Sequence, residues 1–271
     1  MTKVGITLPS FRDTAEPALR VARAADEVGL DAVFAYDHLF RRGADGARRP
    51  AIEMFALLGA VAAETTRVAL GSLVARVTLR PDATLAHGFD TVARITGADR
   101  LYVTLGAGDQ QSAEENERYG LPIGTMTGRV DALRAAVLAT RDHGYPVWVG
   151  GHAAAVRSLA AEHADGWNSW GTGIERFAST AASVLGGARR SSFTVSWGGL
   201  VVLASDDASA REKAARLGAG PDVIVGGPER VADALRGFAD AGAEWVIVGP
   251  VDSSDPENAT ILGEQVAPLL V

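Results

Sequence analysis

The chain has 271 residues, of which 47% are hydrophobic and 22% charged, as in a globular protein with a sizeable buried core. Its formal net charge of -7 shows no basic excess, and no apolar run could span a bilayer, so neither nucleic acid nor a membrane is expected as a partner. Cysteine is absent, which excludes disulfides and cysteine nucleophiles, and together with an N-terminus that lacks a signal-peptide pattern it favours a cytoplasmic protein.

Apolar periodicity divides the chain into strands that alternate with amphipathic helices. Most strands are continuous apolar runs, as expected when both faces of a sheet are buried. The predicted strands cover residues 4–8, 32–36, 68–77, 101–105, 146–150, 166–168, 194–204 and 244–249. The predicted helices cover residues 14–28, 52–64, 82–96, 128–142, 153–163, 174–185, 207–217, 228–241 and 258–270. A polar, arginine-rich loop is predicted at 40–50.

Alternation of strands and helices predicts a parallel sheet. Eight such units in this length favour a closed (β/α)8 barrel, the TIM barrel, over an open doubly wound sheet, with residues 1–271 as a single domain. The glycine-rich segment LGAGD at 105–109 does not match the GxGxxG dinucleotide pattern. Because barrel enzymes carry their sites at the carboxyl ends of the strands, the residues that leave each strand are the candidates for function.

Candidate acid–base residues leave two predicted strands at this end of the barrel: Asp37 and His38 follow the second strand, and Asp109 follows the fourth. Imidazole can exchange protons near neutral pH, which suits His38 to general acid–base chemistry. Alternatively, His38 is a loop residue hydrogen-bonded to Asp37 or to backbone. Asp109 can likewise be the N-cap of a following helix. The residues alone leave both alternatives open.

Two other groups at the strand ends also have two interpretations. Gly106, Gly108, Gly150 and Gly151 either permit tight exits from their strands or let a cofactor approach the backbone, with nearby N–H groups available to a phosphate. The arginines of the early loop form either ordinary solvated surface or a basic patch that receives a polyanionic group. They are Arg41, Arg42, Arg48 and Arg49.

Six segments in order along the chain resemble the luciferase-like monooxygenase superfamily, and the resemblance covers nearly the whole chain. They are DAVFAYDHLF, RVALGSLVARVTLR, RLYVTLGAGD, VWVGG, AAEHADGWN and VGGPERVADALRGFADAGAEWVIVGP. The group comprises flavin- and deazaflavin-dependent oxidoreductases on a (β/α)8 barrel. The resemblance implies FMN or the deazaflavin F420 as cofactor, a small-molecule substrate and a homodimer. This chain is short for the group, with shortened insertion regions.

The resemblance also implies roles for particular residues. His38 and Asp109 would be catalytic, with Asp37 orienting His38 or contacting the cofactor. A non-proline cis peptide is implied at Leu73–Val74. The implied cofactor-binding residues are Leu73, Val74, Ala75, Gly106, Ala107, Gly108, Gly150, Gly151, His152 and Asn168. Many members have Gly-Pro-Arg after the two glycines of the fifth strand, whereas here His152 and three alanines follow.

The leading interpretation is therefore an oxidoreductase that transfers a hydride between F420 and a small organic substrate. The combination of Asp37, His38 and Asp109 with the arginine loop favours F420. The alternative is an FMN-dependent monooxygenase, and an alternative of another class is a non-catalytic flavin-binding barrel. A metal-dependent barrel hydrolase is disfavoured because the five histidines form no His-x-His pair, and no metal site is predicted.

Overall fold

The computed structural model describes residues 2–43 and 46–270. Its strands are β1 (Lys3–Thr7), β2 (Ala32–Ala35), β3 (Phe40–Arg42), β4 (Arg48–Pro50), β5 (Ala69–Ser72), β6 (Ala75–Arg76), β7 (Leu101–Gly106), β8 (Val147–Gly150), β9 (Gly166–Trp170), β10 (Thr194–Leu203), β11 (Ile224–Gly226) and β12 (Trp245–Pro250). Its helices are α1 (Glu16–Val28), α2 (Met54–Glu64), α3 (Asp82–Thr96), α4 (Ala113–Arg118), α5 (Met126–Thr140), α6 (Ala154–His163), α7 (Ile174–Gly187), α8 (Asp207–Leu217), α9 (Pro228–Asp240) and α10 (Glu257–Ile261). After α10 come a π-helical segment, Leu262–Val266, and a 3-10 turn, Ala267–Leu270.

Eight parallel strands close into a barrel. Their order around it is β1, β2, β5, β7, β8, β9, β10 and β12. β12 pairs with β1, placing Val4 opposite Val246, and β10 pairs with both β9 and β12, which completes the ring. Helices join successive strands, as parallel neighbours require. The predicted (β/α)8 barrel is confirmed, with each predicted strand present at its predicted place.

The strands form where the sequence is apolar because both of their faces are covered. Every residue of β2 and of β12 is buried. The surrounding helices bury one face each: α1 buries Ala18, Val21 and Ala25 at helical spacing. Gly29 ends α1 in a left-handed conformation, with φ of 75°, and its N–H donates to the carbonyl of Ala25.

Aromatic side chains pack across the N-terminal half of the barrel interior. The ring centres of Trp148 and Trp245 lie 5.6 Å apart, and Tyr102 lies 4.8 Å from Trp245. Phe34 packs edge-on against Trp245 at 6.2 Å. The interior here is therefore a packed core and not a channel, which is usual for this fold.

Four short elements, β3, β4, β11 and α4, were not predicted from the sequence. β3 and β4 form an antiparallel hairpin within the predicted loop at 40–50, of which residues 44 and 45 lie outside the described residues. Apart from Phe40 the hairpin is exposed and rich in arginine, so it has no apolar alternation to mark it. β11 pairs with the end of β10 off the barrel, and α4 follows β7. No helix in the described ranges has the length and apolar character needed to cross a membrane.

Candidate functional site

Two adjoining cavities open at the C-terminal end of the barrel. The first, of about 450 Å³, lies over the third to sixth barrel strands and is called the glycine cavity because Gly106, Gly108, Gly150 and Gly151 line it. The second, of about 680 Å³, lies over the first two strands and the β3–β4 hairpin. It is called the arginine cavity because Arg12, Arg41 and Arg42 line it. Both cavities are lined by Tyr36, His38, Asp109 and Trp170.

The residues predicted to bind a cofactor lie together, with one exception. The glycine cavity is lined by Leu73, Val74, Gly106, Ala107, Gly108, Gly150, Gly151, His152 and Asn168. Ala75 is fully buried in the hydrophobic core and lines neither cavity. Val74 faces the cavity, and the next side chain in an extended segment points the other way. The prediction for Ala75 is corrected accordingly.

Val74 forms the floor of the glycine cavity, between two neighbouring strands. The peptide bond Leu73–Val74 is cis, as the family resemblance implied. A Cβ on Gly106 would lie 2.4 Å from Cγ2 of Val74, and one on Gly150 would lie 2.6 Å from Cγ1. These two glycines therefore make room for the Val74 side chain. They support the floor of the cavity through Val74, and their own backbone forms part of the cavity lining.

Gly106→Ala is expected to lower the free energy of unfolding by about 1–3 kcal/mol and to weaken cofactor binding, because the added methyl overlaps Val74 and overpacking carries this cost. The matched control is Gly59→Ala within α2, where a Cβ would meet no atom within 4 Å. At that half-buried helical position, alanine should leave the free energy of unfolding unchanged or raise it by about 0.5–1 kcal/mol. Chemical denaturation of both variants is the measurement, and equal stability of the two would contradict the packing role of Val74.

Asp37 is fully buried and bonds two arginines. Its Oδ2 accepts a hydrogen bond of 2.9 Å from the backbone N–H of Arg76. Arg80 Nη1 lies 3.0 and 2.8 Å from its two carboxylate oxygens. Asp37 thus points into the barrel wall, whereas His38 points towards the cavities. The contacts of Asp37 are with Arg76 and Arg80, and it lines neither cavity, so its predicted role of orienting His38 or contacting the cofactor stays a prediction.

The carboxylate that bonds His38 belongs to Glu115, on the short helix α4. Glu115 Oε2 lies 2.9 Å from His38 Nδ1. The other oxygen, Oε1, accepts from the backbone N–H of Leu39 and lies 2.7 Å from Arg76 Nη2. Sequence analysis missed Glu115, because its neighbours Glu114 and Glu117 are exposed and nothing marks the one glutamate that turns inwards.

Charge keeps this network ionised. Burial alone would raise the pKa of Glu115, but hydrogen bonds from His38 and Leu39 and the charges of His38 and Arg76 outweigh it and lower the pKa. Burial lowers the pKa of the Arg76 guanidinium, against the opposing charges of Glu115, Asp37 and Asp109. An arginine remains protonated in proteins. Glu115 is therefore a carboxylate that accepts hydrogen bonds and donates none.

Asp109 caps a helical turn and also lines the cavities, so its position allows both the N-cap and the catalytic interpretation. Its Oδ1 accepts from the backbone N–H of Ser112 at 3.0 Å and from the Ser112 hydroxyl at 3.2 Å, which caps the 3-10 turn Gln110–Ser112. Its side chain also lines both cavities. Oδ2 makes no hydrogen bond to another residue of the described ranges. The residue can therefore keep its cap and still offer an oxygen to a ligand.

Two of the loop arginines form ion pairs, whereas no ion pair joins Arg12 or Arg41 to another residue in 2–43 or 46–270. Arg42 and Arg48 both form ion pairs with Glu114, which neutralises part of their charge. Arg41 stacks over the ring of Phe11 at 4.8 Å and lines the arginine cavity. Arg12, which was not predicted, lines it too, and burial with the charges of Arg41 and Arg49 lowers the pKa of its guanidinium. The positive charge that faces this cavity is therefore centred on Arg12 and Arg41.

The glycine cavity fits a ring with an attached phosphate. Its base and sides are apolar at Val74, Ala107 and Val156, and His38 and Asp109 stand at its edge. Helix α6 begins beside the cavity with no side-chain cap, so N–H groups of its first turn are available to an anion. Within residues 2–43 and 46–270, no group of three or more His, Asp or Glu side chains is placed to hold a metal ion.

Comparisons with solved structures identify proteins of the same fold. The structure of an F420-dependent secondary alcohol dehydrogenase with an F420-acetone adduct superposes with a TM-score of 0.81 at 17% identity, covering 100% of this chain and 99% of that one. A riboflavin lyase bound to modified FMN and riboflavin gives a TM-score of 0.81 at 14% identity, with coverage of 100% and 91%. At these identities the likeness establishes the fold.

Sequence relatives give the family. An uncharacterized protein of Mycobacterium tuberculosis is 30% identical over 184 residues, which is 54% of this chain and 62% of that protein. The chain thus spans less than two thirds of the length of the curated relatives that it matches. The model of the luciferase-like monooxygenase family matches residues 2–222, most of the chain. The chain belongs to the luciferase-like monooxygenase family.

Proposed function

We propose that the protein is an oxidoreductase that transfers a hydride between F420 and a small organic substrate. The observation that carries the proposal is the meeting of the two cavities at His38 and Asp109. One cavity suits a ring and its phosphate, and the other supplies the positive charge of Arg12 and Arg41. An acid–base pair at their junction can reach a ligand in either.

Residues of this chain would hold F420 as follows. The ring would lie on Val74 within the glycine cavity, and its phosphate would take N–H groups at the start of α6. This backbone site replaces the Gly-Pro-Arg contacts that the chain lacks. The bound cofactor supplies the hydride, and the protein supplies binding, orientation and proton transfer.

His38 and Asp109 are the proposed proton-transfer groups. The Nδ1 edge of His38 is engaged by Glu115, which leaves Nε2 as the nitrogen available to a ligand. Tyr36 and Trp170 pack edge to face with ring centres 6.2 Å apart, and both line the two cavities at this junction. Burial raises the pKa of Tyr36 to about 12, so its phenol stays neutral.

The choice of F420 over FMN rests on the arginine cavity. F420 carries a polyanionic tail, and Arg12 with Arg41 would attract it. FMN has no such extension, so these cations would then be left to the substrate. An FMN-dependent monooxygenase is the alternative, and it is supported by the FMN complex of a structural neighbour. A homodimer in the cytoplasm remains part of the proposal.

Arg41→Gln is expected to weaken F420 binding by up to about fivefold, because an exposed charge contributes at most about 1 kcal/mol. Raising the salt concentration should weaken wild-type binding for the same reason. The matched control is Arg134→Gln on the exposed face of α5, which should change nothing. Fluorescence titration with F420 measures the affinity of both variants, and that of the wild type at low and high salt. An affinity for F420 that changes neither with salt concentration nor in Arg41→Gln would reject this role for the arginine cavity.

Anaerobic assays with each cofactor test the proposed reaction. Oxidised F420 is mixed with the protein and a set of small alcohols, the substrate class of the secondary alcohol dehydrogenase, and reduced F420 with small ketones and aldehydes. Protein-dependent change in deazaflavin absorbance supports hydride transfer. Activity that requires reduced FMN and oxygen would instead support the monooxygenase. Tight cofactor binding without turnover in any assay would support the non-catalytic alternative.

A further inference from the structure

Glu115 receives three donors, and they fall unequally on its two oxygens. Oε1 faces the backbone N–H of Leu39 and the guanidinium of Arg76, with Arg76 Nη2 at 2.7 Å. Oε2 faces only Nδ1 of His38, at 2.9 Å. The first two donors cannot give up their protons at ordinary pH. Only the histidine can exchange its donor nitrogen for an acceptor.

Buried contacts with Arg76 fix the position of Glu115. Its side chain is 5% exposed, and that of Arg76 is 4% exposed. Arg76 is held in turn, because its Nε donates to the backbone carbonyl of Asp37 at 2.8 Å and its own N–H donates to the Asp37 carboxylate. Arg80 anchors Asp37 from the other side. Ion pairs and hydrogen bonds thus connect Arg80, Asp37 and Arg76 to Glu115, which in turn contacts His38.

We propose that Glu115 is a positioning residue that fixes the tautomer of His38, with the ring proton on Nδ1 and the lone pair on Nε2. A carboxylate has no proton to donate, so the nitrogen that it bonds must be the donor. In the neutral ring Nε2 then faces the ligand as a proton acceptor. The use made of that acceptor rests on the proposed function, whereas the tautomer itself does not.

Glu115→Gln makes the proposal testable with almost no change of shape. Glutamine has one oxygen and one NH2 group to offer. The oxygen belongs on the side of Leu39 and Arg76, since two obligatory donors lie there. The NH2 group then faces His38 Nδ1, which has to accept. The ring proton should therefore move to Nε2, the opposite tautomer.

The measurement is NMR of the cofactor-free protein labelled with 15N-histidine, at an alkaline pH where the rings are neutral. The signals of His38 are assigned by their loss in His38→Asn. The expected result is an Nδ1-protonated ring in the wild type and an Nε2-protonated ring in Glu115→Gln. The control is Glu117→Gln, which changes an exposed glutamate of the same helix and should keep the wild-type tautomer.

Each outcome decides the proposal. An Nε2-protonated ring in the wild type overturns it even if Glu115→Gln does not fold, and so does a folded Glu115→Gln variant that keeps the wild-type tautomer. Turnover gives a separate readout: Glu115→Gln should lower kcat by about 10²–10⁴-fold at unchanged cofactor affinity, the range of acid–base groups. A tautomer switch in a protein that reduces no substrate would leave the proposal standing and count against the proposed function alone.

Discussion

Replacing His38 with asparagine is expected to lower turnover by about 10²–10⁴-fold, with cofactor affinity and stability close to those of the wild type. The amide nitrogen of asparagine matches the position of Nδ1 in histidine, so it can still donate to Glu115. The buried network below His38 therefore keeps its hydrogen bonds. What is lost is the second nitrogen, Nε2, which is the group that can exchange a proton with a ligand.

Single-turnover oxidation or reduction of bound F420 is the measurement for this variant, with thermal unfolding and cofactor titration on the same preparation. His87→Asn is the matched control, because His87 lies on α3 and lines neither cavity. His38→Asn with normal turnover per folded molecule would show that His38 closes the end of β2 and takes no part in the reaction.

Asp37→Asn is expected to act on stability, with a loss of about 1–3 kcal/mol in the free energy of unfolding, because buried donors lose a charged acceptor. The substitution removes the negative charge that a fully buried carboxylate offers to Arg80 and Arg76. It also places an NH2 group among donors. This loss exceeds that of an exposed charge because Asp37 is fully buried. Arg80 keeps its ion pair with Glu53, and Arg76 keeps Glu115, which limits the loss.

Chemical denaturation measures the effect of Asp37→Asn, and Asp240→Asn is the control. Asp240 is exposed at the end of α9, so its loss should change the free energy of unfolding by no more than about 0.5 kcal/mol. An Asp37→Asn protein with wild-type stability and no turnover would instead support the catalytic role that the sequence suggested for Asp37.

The barrel could be predicted from the sequence because its signal is local. Each strand is an apolar run and each helix has an apolar face, so β2 and α1 are visible in a few consecutive residues. The β3–β4 hairpin could not be predicted, because its exposed arginines show no apolar alternation. They lie opposite one another on the two strands, and Arg42 and Arg48 pair with Glu114. The site residues around Val74 came from the family resemblance and not from periodicity.

The network below His38 could not be predicted because its contacts join distant parts of the chain. Asp37 meets Arg80 from the segment that follows β6, and His38 meets Glu115 from α4. The sequence shows these charges without showing which of them are paired. Asp37 and His38 are adjacent in sequence, which suggested that they act together. The Asp37 side chain is instead buried against Arg76 and Arg80, whereas the His38 side chain lines the two cavities.

The most direct test of the account is a parallel titration of the cofactor-free protein with F420 and with FMN, repeated on Gly106→Ala. The account predicts saturable binding of F420, tighter than that of FMN, and weaker binding of F420 in the variant, because Val74 forms the floor on which the ring lies. Failure of both cofactors to bind, or F420 binding that Gly106→Ala does not change, would contradict the placement of the cofactor in the glycine cavity.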